Sequence, residues 1–382
     1  MRRTALLVAA LAVLAGLLSL SAQAGNGNGA DSYIVVLKDA VDPSAVANIH
    51  SHKYGAQVDA VWGNALHGYA AVIPNDRVAA LRADENVKYV VADGEASISA
   101  QTVPYGIDLI NADSSSTLAG NGSGTVSNVN VYVIDTGVDG SHPDLNVVQS
   151  VSFVRGGGGN RSGDCNGHGT HVAGTIAAKD DTQGVVGVAP GAPIHAVKVL
   201  NCQGSGQWSW IISGINWVTQ NHGANSVANM SLGGSANQAV DDAVRNSAAA
   251  GVFYGIAAGN SGADACGSSP ARAGAGTNNG IATVAAVDSS SQEASWSNYG
   301  SCVDIWAPGV NVLSTWTGGG YNTISGTSMA SPHVTGGGAL YLSTHSGASP
   351  ATVESGLTGA ATSTGTRSKD GRAIKLENVG GF

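Results

Sequence analysis

Val131-Tyr132-Val133-Ile134-Asp135-Thr136-Gly137 decides the fold. A run of apolar, mostly β-branched residues with no polar alternation reads as a strand covered on both faces. It delivers the Asp135 carboxylate to the strand's C-terminal end, where Gly137 lets the backbone turn. Similar runs recur at 194–200, 226–230, 252–258, 281–287 and 303–306, beside 129–134 itself. Between them, 211–220, 239–250 and 334–343 carry helical patterns. Strand and helix in alternation imply parallel β-α-β units, and so an α/β fold: a doubly wound, mostly parallel sheet with helices on both faces. In that architecture function gathers at the carboxyl ends of the strands.

The N-terminal third differs. Arg2 and Arg3 precede an apolar run over 5–20, and Ala22-Gln23-Ala24 supplies a small-x-small cleavage pattern. Residues 1–24 are therefore a secretory signal peptide, the protein is secreted, and no membrane association follows cleavage. Strand patterns at 32–37, 70–73 and 87–91 and helical ones at 45–54 and 75–83 make a small α/β unit over 31–98. A small, polar stretch at 96–102 is a cleavable linker. His50, His52 and His67 have no acid or nucleophile pattern beside them and read as structural or surface residues. With 43% apolar and 11% charged residues among 382, the chain buries a large core. A formal charge of −9 without a basic stripe excludes nucleic acid as a partner. Four cysteines, Cys165, Cys202, Cys266 and Cys302, in an exported chain imply disulfides, and three pairings stay open. A zinc site lacks a C-x-x-C pair.

Two further stretches carry chemistry. In Asn166-Gly167-His168-Gly169-Thr170-His171 a histidine between glycines opens a helix of small residues. In Ser325-Gly326-Thr327-Ser328-Met329-Ala330-Ser331-Pro332-His333 the proline places a helix start close to Ser328, because proline is tolerated near the first turn. A serine there is exposed at the positive end of a helix, but it is a poor nucleophile without a base. Asp135, then His168, then Ser328 is one of the chain orders in which an acid–base–nucleophile triad recurs. His168 would take the Ser328 proton and return it to the leaving amine, while Asp135 fixes the tautomer. Asn260, at the end of the apolar run 252–258 and its Gly259, offers a side-chain donor for the oxyanion.

Asp-Thr-Gly at 135–137, Gly-His-Gly-Thr-His-Val-Ala-Gly at 167–174, Ala-Ala-Gly-Asn at 257–260 and Gly-Thr-Ser-Met-Ala-Ser-Pro-His at 326–333 resemble the four signature blocks of the subtilisin-like serine proteases. The text between is most similar to the proteinase K and aqualysin branch, and 31–93 resembles the family's inhibitory propeptide. The resemblance implies a peptidase domain over 103–382 that hydrolyses peptide bonds through an acyl-enzyme, with no cofactor for catalysis. It implies a self-processing zymogen, a monomer, whose own propeptide is its inhibitor and which cuts itself free near Ala100. Extended polypeptides would pair with Ser231-Leu232-Gly233 and Gly204-Ser205-Gly206 by strand addition, with an apolar or aromatic residue before the cut. It also implies the pairs Cys165–Cys202 and Cys266–Cys302.

The family often binds a structural calcium through a carboxylate matching Asp304 and carbonyls after Ser-Pro-Ala. Here Ser269-Pro270-Ala271-Arg272 leads into a longer loop, 273–280, which displaces those carbonyls. Asp304 as calcium ligand and Asp304 as plain turn acid both stay open. Two rival functions fit less well. An inactive subtilase-fold binding protein that retains its propeptide sits badly with four competent catalytic positions. An α/β-hydrolase esterase would need the order Ser, acid, His and a G-x-S-x-G elbow, which Gly326-Thr327-Ser328-Met329-Ala330 lacks.

Overall fold

The computed structural model describes residues 29–93, 101–155 and 162–382. The signal peptide 1–24 and residues 96–100 of the linker lie outside the described residues. The chain divides into two compact units, Met1–Ile98 and Ser99–Phe382.

The first unit contains β1 (Ala30–Leu37), α1 (Pro43–Tyr54), β2 (Gln57–Trp62), β3 (Gly68–Pro74), α2 (Asn75–Arg82) and β4 (Val87–Ala92). The strands pair antiparallel in the order β2-β3-β1-β4. Asp42 starts α1 by accepting from the N–H groups of Ser44 and Ala45, with Pro43 in the first turn, where its missing N–H does no harm. Val35, Leu37, Tyr69, Ile73 and Leu81 are fully buried between the sheet and the helices. The sequence pattern shows no strand at β2, because Gln57 and Asp59 interrupt the apolar run along this edge. His50 is buried, its Nδ1 2.7 Å from the Tyr69 hydroxyl and its Nε2 3.5 Å from Asp84, an acid far away in sequence.

The second unit begins with α3 (Tyr105–Leu109), β5 (Asn130–Asp135), β6 (Val147–Ser152), α4 (His168–Ala177), β7 (Ile194–Lys198), α5 (Trp208–Asn221), β8 (Ser226–Met230) and β9 (Gly234–Ser235). It continues with α6 (Gln238–Ala249), β10 (Val252–Ala257), β11 (Ser268–Ser269), β12 (Ile281–Val287), β13 (Ile305–Pro308), β14 (Val312–Trp316) and β15 (Gly320–Ile324). It ends with α7 (Thr327–Thr344), α8 (Pro350–Ala360), β16 (Thr362–Arg367) and β17 (Ala373–Leu376). Nine strands form one sheet in the order β16-β17-β13-β12-β10-β8-β5-β7-β6. Every pairing in it is parallel except that of β16, the edge strand, with β17.

Side chains alternate along a strand, so β5 feeds two cores. Val131 and Val133 pack with Val172 and Ile176 of α4 and with Val334 and Leu340 of α7. Tyr132 and Ile134 pack on the opposite face with Ile211 and Ile215 of α5 and Val240 and Val244 of α6. All four β5 residues are at most 1% exposed, which explains the unbroken apolar run. Each such side chain contributes about 1.5–3 kcal/mol by burial, so Val133→Asp would break the sheet's centre.

Two helices differ from the sequence expectation. The helix of Ser328 begins at Thr327, as expected, but Pro332 lies inside it, its sixth residue and beyond the first turn. Helix α8 has no counterpart among the expected segments, although Ser349 caps it and Pro350 occupies its first turn. No helix among the described residues is long and apolar enough to cross a membrane.

Candidate active site

Three loops at the carboxyl ends of strands meet here. Asp135, the last residue of β5, is fully buried. Its Oδ1 accepts from the Thr136 N–H at 2.7 Å and from His168 Nδ1 at 2.8 Å, while Oδ2 is buried without a partner among the described residues. His168 opens α4 behind Gly167, whose φ of 108° is left-handed and whose Cβ would run into the Trp316 ring. Gly169 brings the helix start against the turn after β5, since a Cβ there would collide with the Gly137 carbonyl. The glycines flanking His168 therefore serve close approach of helix to strand.

Asp164 organises that first turn from four residues upstream. Its carboxylate accepts from the N–H groups of Asn166, Gly167 and Thr170 and from the hydroxyls of Thr136 and Thr170, at 2.6–3.0 Å. Thr136 Oγ1 in turn accepts from the Gly169 N–H at 2.9 Å. Burial pushes the His168 imidazole down, but the charge and hydrogen bond of Asp135, helped by Asp164, outweigh it and hold His168 above its ordinary value. His171, one turn on, is the reverse case. Burial brings it down to about 4, and its Nε2–H faces the carbonyls of Val312 and Asn322.

Ser328 is the second residue of α7, and its hydroxyl donates to the Ser231 carbonyl at 3.2 Å rather than to His168. One χ1 rotation re-aims such a hydroxyl, and catalytic hydrogen bonds commonly tighten only when substrate binds. Asn260 Oδ1 accepts from the Thr327 N–H (2.8 Å) and the Thr327 hydroxyl (2.9 Å), so it caps the helix that carries Ser328. That fixes the amide's other end, Nδ2, as the free donor. Thr327 Oγ1 also accepts from the Gly259 N–H at 3.0 Å. Asn298 clamps the same loop, accepting from Ser261 and Ala263 N–H and donating to the Ala258 carbonyl.

Two clefts share the segment 231–234. One, of about 570 Å³, is lined by His168, Gly204, Ser205, Gly206 and Leu232, with Leu200, Trp208 and Ile211 as apolar walls. The other, of about 330 Å³, is lined by Ser328, Asn260, Gly233 and small uncharged residues including Ala258, Gly259 and Ala271. Of the expected substrate residues, 231–233 border both clefts and 204–206 the larger one. The cysteines are joined as Cys165–Cys202 and Cys266–Cys302. The first pair ties the loop before His168 to the wall at 201–206, where Asn166 Nδ2 also donates to the Cys202 carbonyl at 2.9 Å.

Asp304 stands apart from these clefts. One carboxylate oxygen accepts from the Thr283 N–H at 2.8 Å. The loop carbonyls meant for calcium accept from protein donors: Ala271 from Thr283 Oγ1, Arg272 and Ala273 from the Arg245 guanidinium, and Gly274 from Asn279 Nδ2. Glu354 accepts from the N–H groups of Asn278 and Gly280. The Arg245 guanidinium thus holds the Arg272 and Ala273 carbonyls, which a cation would have to take from it, and the described residues hold no group of three metal-ligating side chains.

Thr327, Asp164 and Asn298 are the positions the sequence reading leaves without a role. Only Asp164 had a local signal, a carboxylate just ahead of a helix start.

The family model of the subtilases matches residues 126–377, and that of peptidase inhibitor I9 matches 32–99. The chain belongs to the subtilase family. It is 45% identical over 314 residues to an extracellular serine proteinase of Thermus sp. (strain Rt41A), spanning 79% of this chain and 73% of that one. It is 48% identical over 267 residues to subtilisin DY of Bacillus licheniformis, spanning 70% and 94%. The crystal structure of a cold adapted subtilisin-like serine proteinase matches with a TM-score of 0.59 at 46% identity, covering 66% of this chain and 88% of that one. The protein is a secreted serine endopeptidase carrying an inhibitor-type propeptide domain, and its chemistry needs no catalytic cofactor.

Proposed function

We propose that this endopeptidase cuts extended polypeptides through Asp135, His168 and Ser328, with Asn260 as oxyanion donor. Ser328 Oγ attacks the amide carbon while its proton passes to His168 Nε2. The tetrahedral oxyanion is held by Asn260 Nδ2 and by N–H groups at the start of α7. Its collapse expels the amine with that proton and leaves an acyl-enzyme, which water then hydrolyses. The observation that carries this reading is the 2.8 Å hydrogen bond from His168 Nδ1 to a fully buried Asp135, which leaves Nε2 for the cleft.

The substrate lies between 204–206 and 231–233, extended by backbone pairing. Among the described residues none that lines the smaller cleft is charged, which favours an apolar or aromatic side chain before the cut. The chain is made as 1–24, 31–98 and 103–382: signal, propeptide and peptidase. The propeptide acts as the inhibitor, is released by self-cleavage in the linker, and leaves a monomer. The calcium suggested by resemblance gives way to a loop held by Arg245, Asn279 and Glu354.

The test is fluorophosphonate labelling of the secreted protein followed by a peptide library read by mass spectrometry. Label on Ser328, and a Ser328→Ala chain that keeps its propeptide covalently attached, are expected. Processed protein that takes no label would favour the inactive binding protein instead.

A further inference from the structure

Lys198 is a lysine inside a protein core. It ends β7, paired in parallel register with Asp135 of β5, and its side chain is fully buried. Lysine is seldom buried outright, because taking an ammonium from water is costly unless opposite charge and acceptors receive it. Its Nζ donates to the Thr136 carbonyl and lies 3.6 Å from Cys165 Sγ. It therefore touches both the residue after the acid and the loop before the base. Thr136 extends the link, since its hydroxyl donates to Asp164 and accepts from the Gly169 N–H.

The charges explain why a cation is there. Two carboxylates, Asp135 on β5 and Asp164 ahead of α4, act on the same imidazole. Asp135 accepts from Nδ1, and Asp164 accepts from five donors. Both carboxylates raise the His168 imidazole, and catalysis needs it neutral, so a cation beside them opposes that rise. His171, on the same helix, is buried and neutral and supplies no compensating charge. Burial outweighs the pull of Asp164 and Asp135 and holds the Lys198 ammonium below its ordinary 10.5, the two carboxylates limiting that fall.

We propose that Lys198 is a positioning residue of the triad: a buried cation that sits against Asp135 and Asp164 and pins the Thr136 turn, so that His168 is correctly placed when substrate arrives. The inference rests on the triad proposed for catalysis. Lys198 touches neither substrate nor reacting atoms.

The experiment compares the processed wild-type enzyme with K198M, K198Q, K198R and the double variant K198M/D164N, each checked for folding by circular dichroism. K198M keeps the stem but loses charge and donor. Its kcat should fall about ten- to a hundredfold with KM little changed. The acid limb of its kcat/KM profile should move up by about one pH unit. K198R should restore the limb, and K198M/D164N should bring it back toward wild type, since one charge of each sign has gone. Should K198M not fold, K198Q carries the same pH readout while still able to donate to Thr136. A folded K198M or K198Q with wild-type kcat and limb overturns the proposal. Wild-type enzyme that takes no fluorophosphonate on Ser328 would instead overturn the triad reading itself.

Discussion

Pro332 withholds from Ser328 the backbone hydrogen bond that the fourth residue onward in a helix normally donates, and the Ser231 hydroxyl provides it instead at 2.7 Å. Asn229 Nδ2 donates to that hydroxyl at 2.8 Å, while Asn229 Oδ1 accepts from Ser331 and Thr335 of α7. The nucleophile's backbone is thus held from β8, the strand that leads into the substrate segment.

Ser231→Ala removes that donor and leaves the Ser328 carbonyl short of a partner. It should lower stability by about 1–3 kcal/mol, measured by denaturant unfolding of the Ser328→Ala background to avoid self-digestion. An unchanged midpoint would show that water replaces the hydroxyl without loss.

Asn260 has two separable duties, a cap made by Oδ1 and an oxyanion donor at Nδ2. Asn260→Asp keeps the first and loses the second. Its kcat should fall about 10²–10³-fold, a magnitude carried over from the corresponding donor in subtilisin, while its melting temperature stays near wild type. Asn260→Ala should lower both.

Because Asp135 and Asp164 together outweigh burial, the His168 imidazole titrates above its ordinary 6.5. Catalysis needs the neutral ring, so activity should be low below that value and rise through a midpoint higher than 6.5 as the proton leaves. A kcat/KM profile whose acid limb lies at or below pH 6 would contradict this.

Glu377 is fully buried, neither carboxyl oxygen has a partner among the described residues, and burial holds its acid form well above the ordinary 4.5. Above pH 4.5 the unfolded chain loses this proton while the folded chain keeps it, so stability falls as pH rises, by up to about 1.4 kcal/mol per unit. Glu377→Gln abolishes that slope. Its advantage in melting temperature should be small near pH 4.5 and grow toward alkaline pH; a constant offset would refute the linkage.

With the 271–274 carbonyls held by Arg245, Asn279 and Thr283, a chelator should leave the melting temperature within about a degree. Arg245→Met should lower it, since two carbonyls lose their donors at about 1 kcal/mol each. A large drop on chelation, reversed by calcium, would restore the metal.

What the sequence disclosed was whatever chemistry lies in one continuous stretch. The centre of the sheet was legible because β5, β8, β10 and β12 are covered on both faces and show it as unbroken apolar runs. Edge strand β6, half exposed with Gln149 and Ser150 in it, shows no such run. Asp135 ends a strand, His168 and Ser328 stand at helix starts and Asn260 follows β10 by three residues, positions marked by glycines one or two residues away. Thr327, Asn298 and Lys198 act across gaps of 33 to 68 residues, through contacts that only folding creates. The lengthened loop at 273–280 was visible, whereas Arg245 and Glu354, which hold it from α6 and α8, were not.

In the sheet β5 lies between β7 and β8, and no strand pairs in parallel without a long crossover between its partners. Bringing such distant segments together loses chain entropy well before the contacts repay it, and the same barrier must be climbed in reverse to come apart. For an enzyme that digests any neighbour caught open, persistence outside the cell is then a matter of how rarely it opens, more than of how favourable closing is.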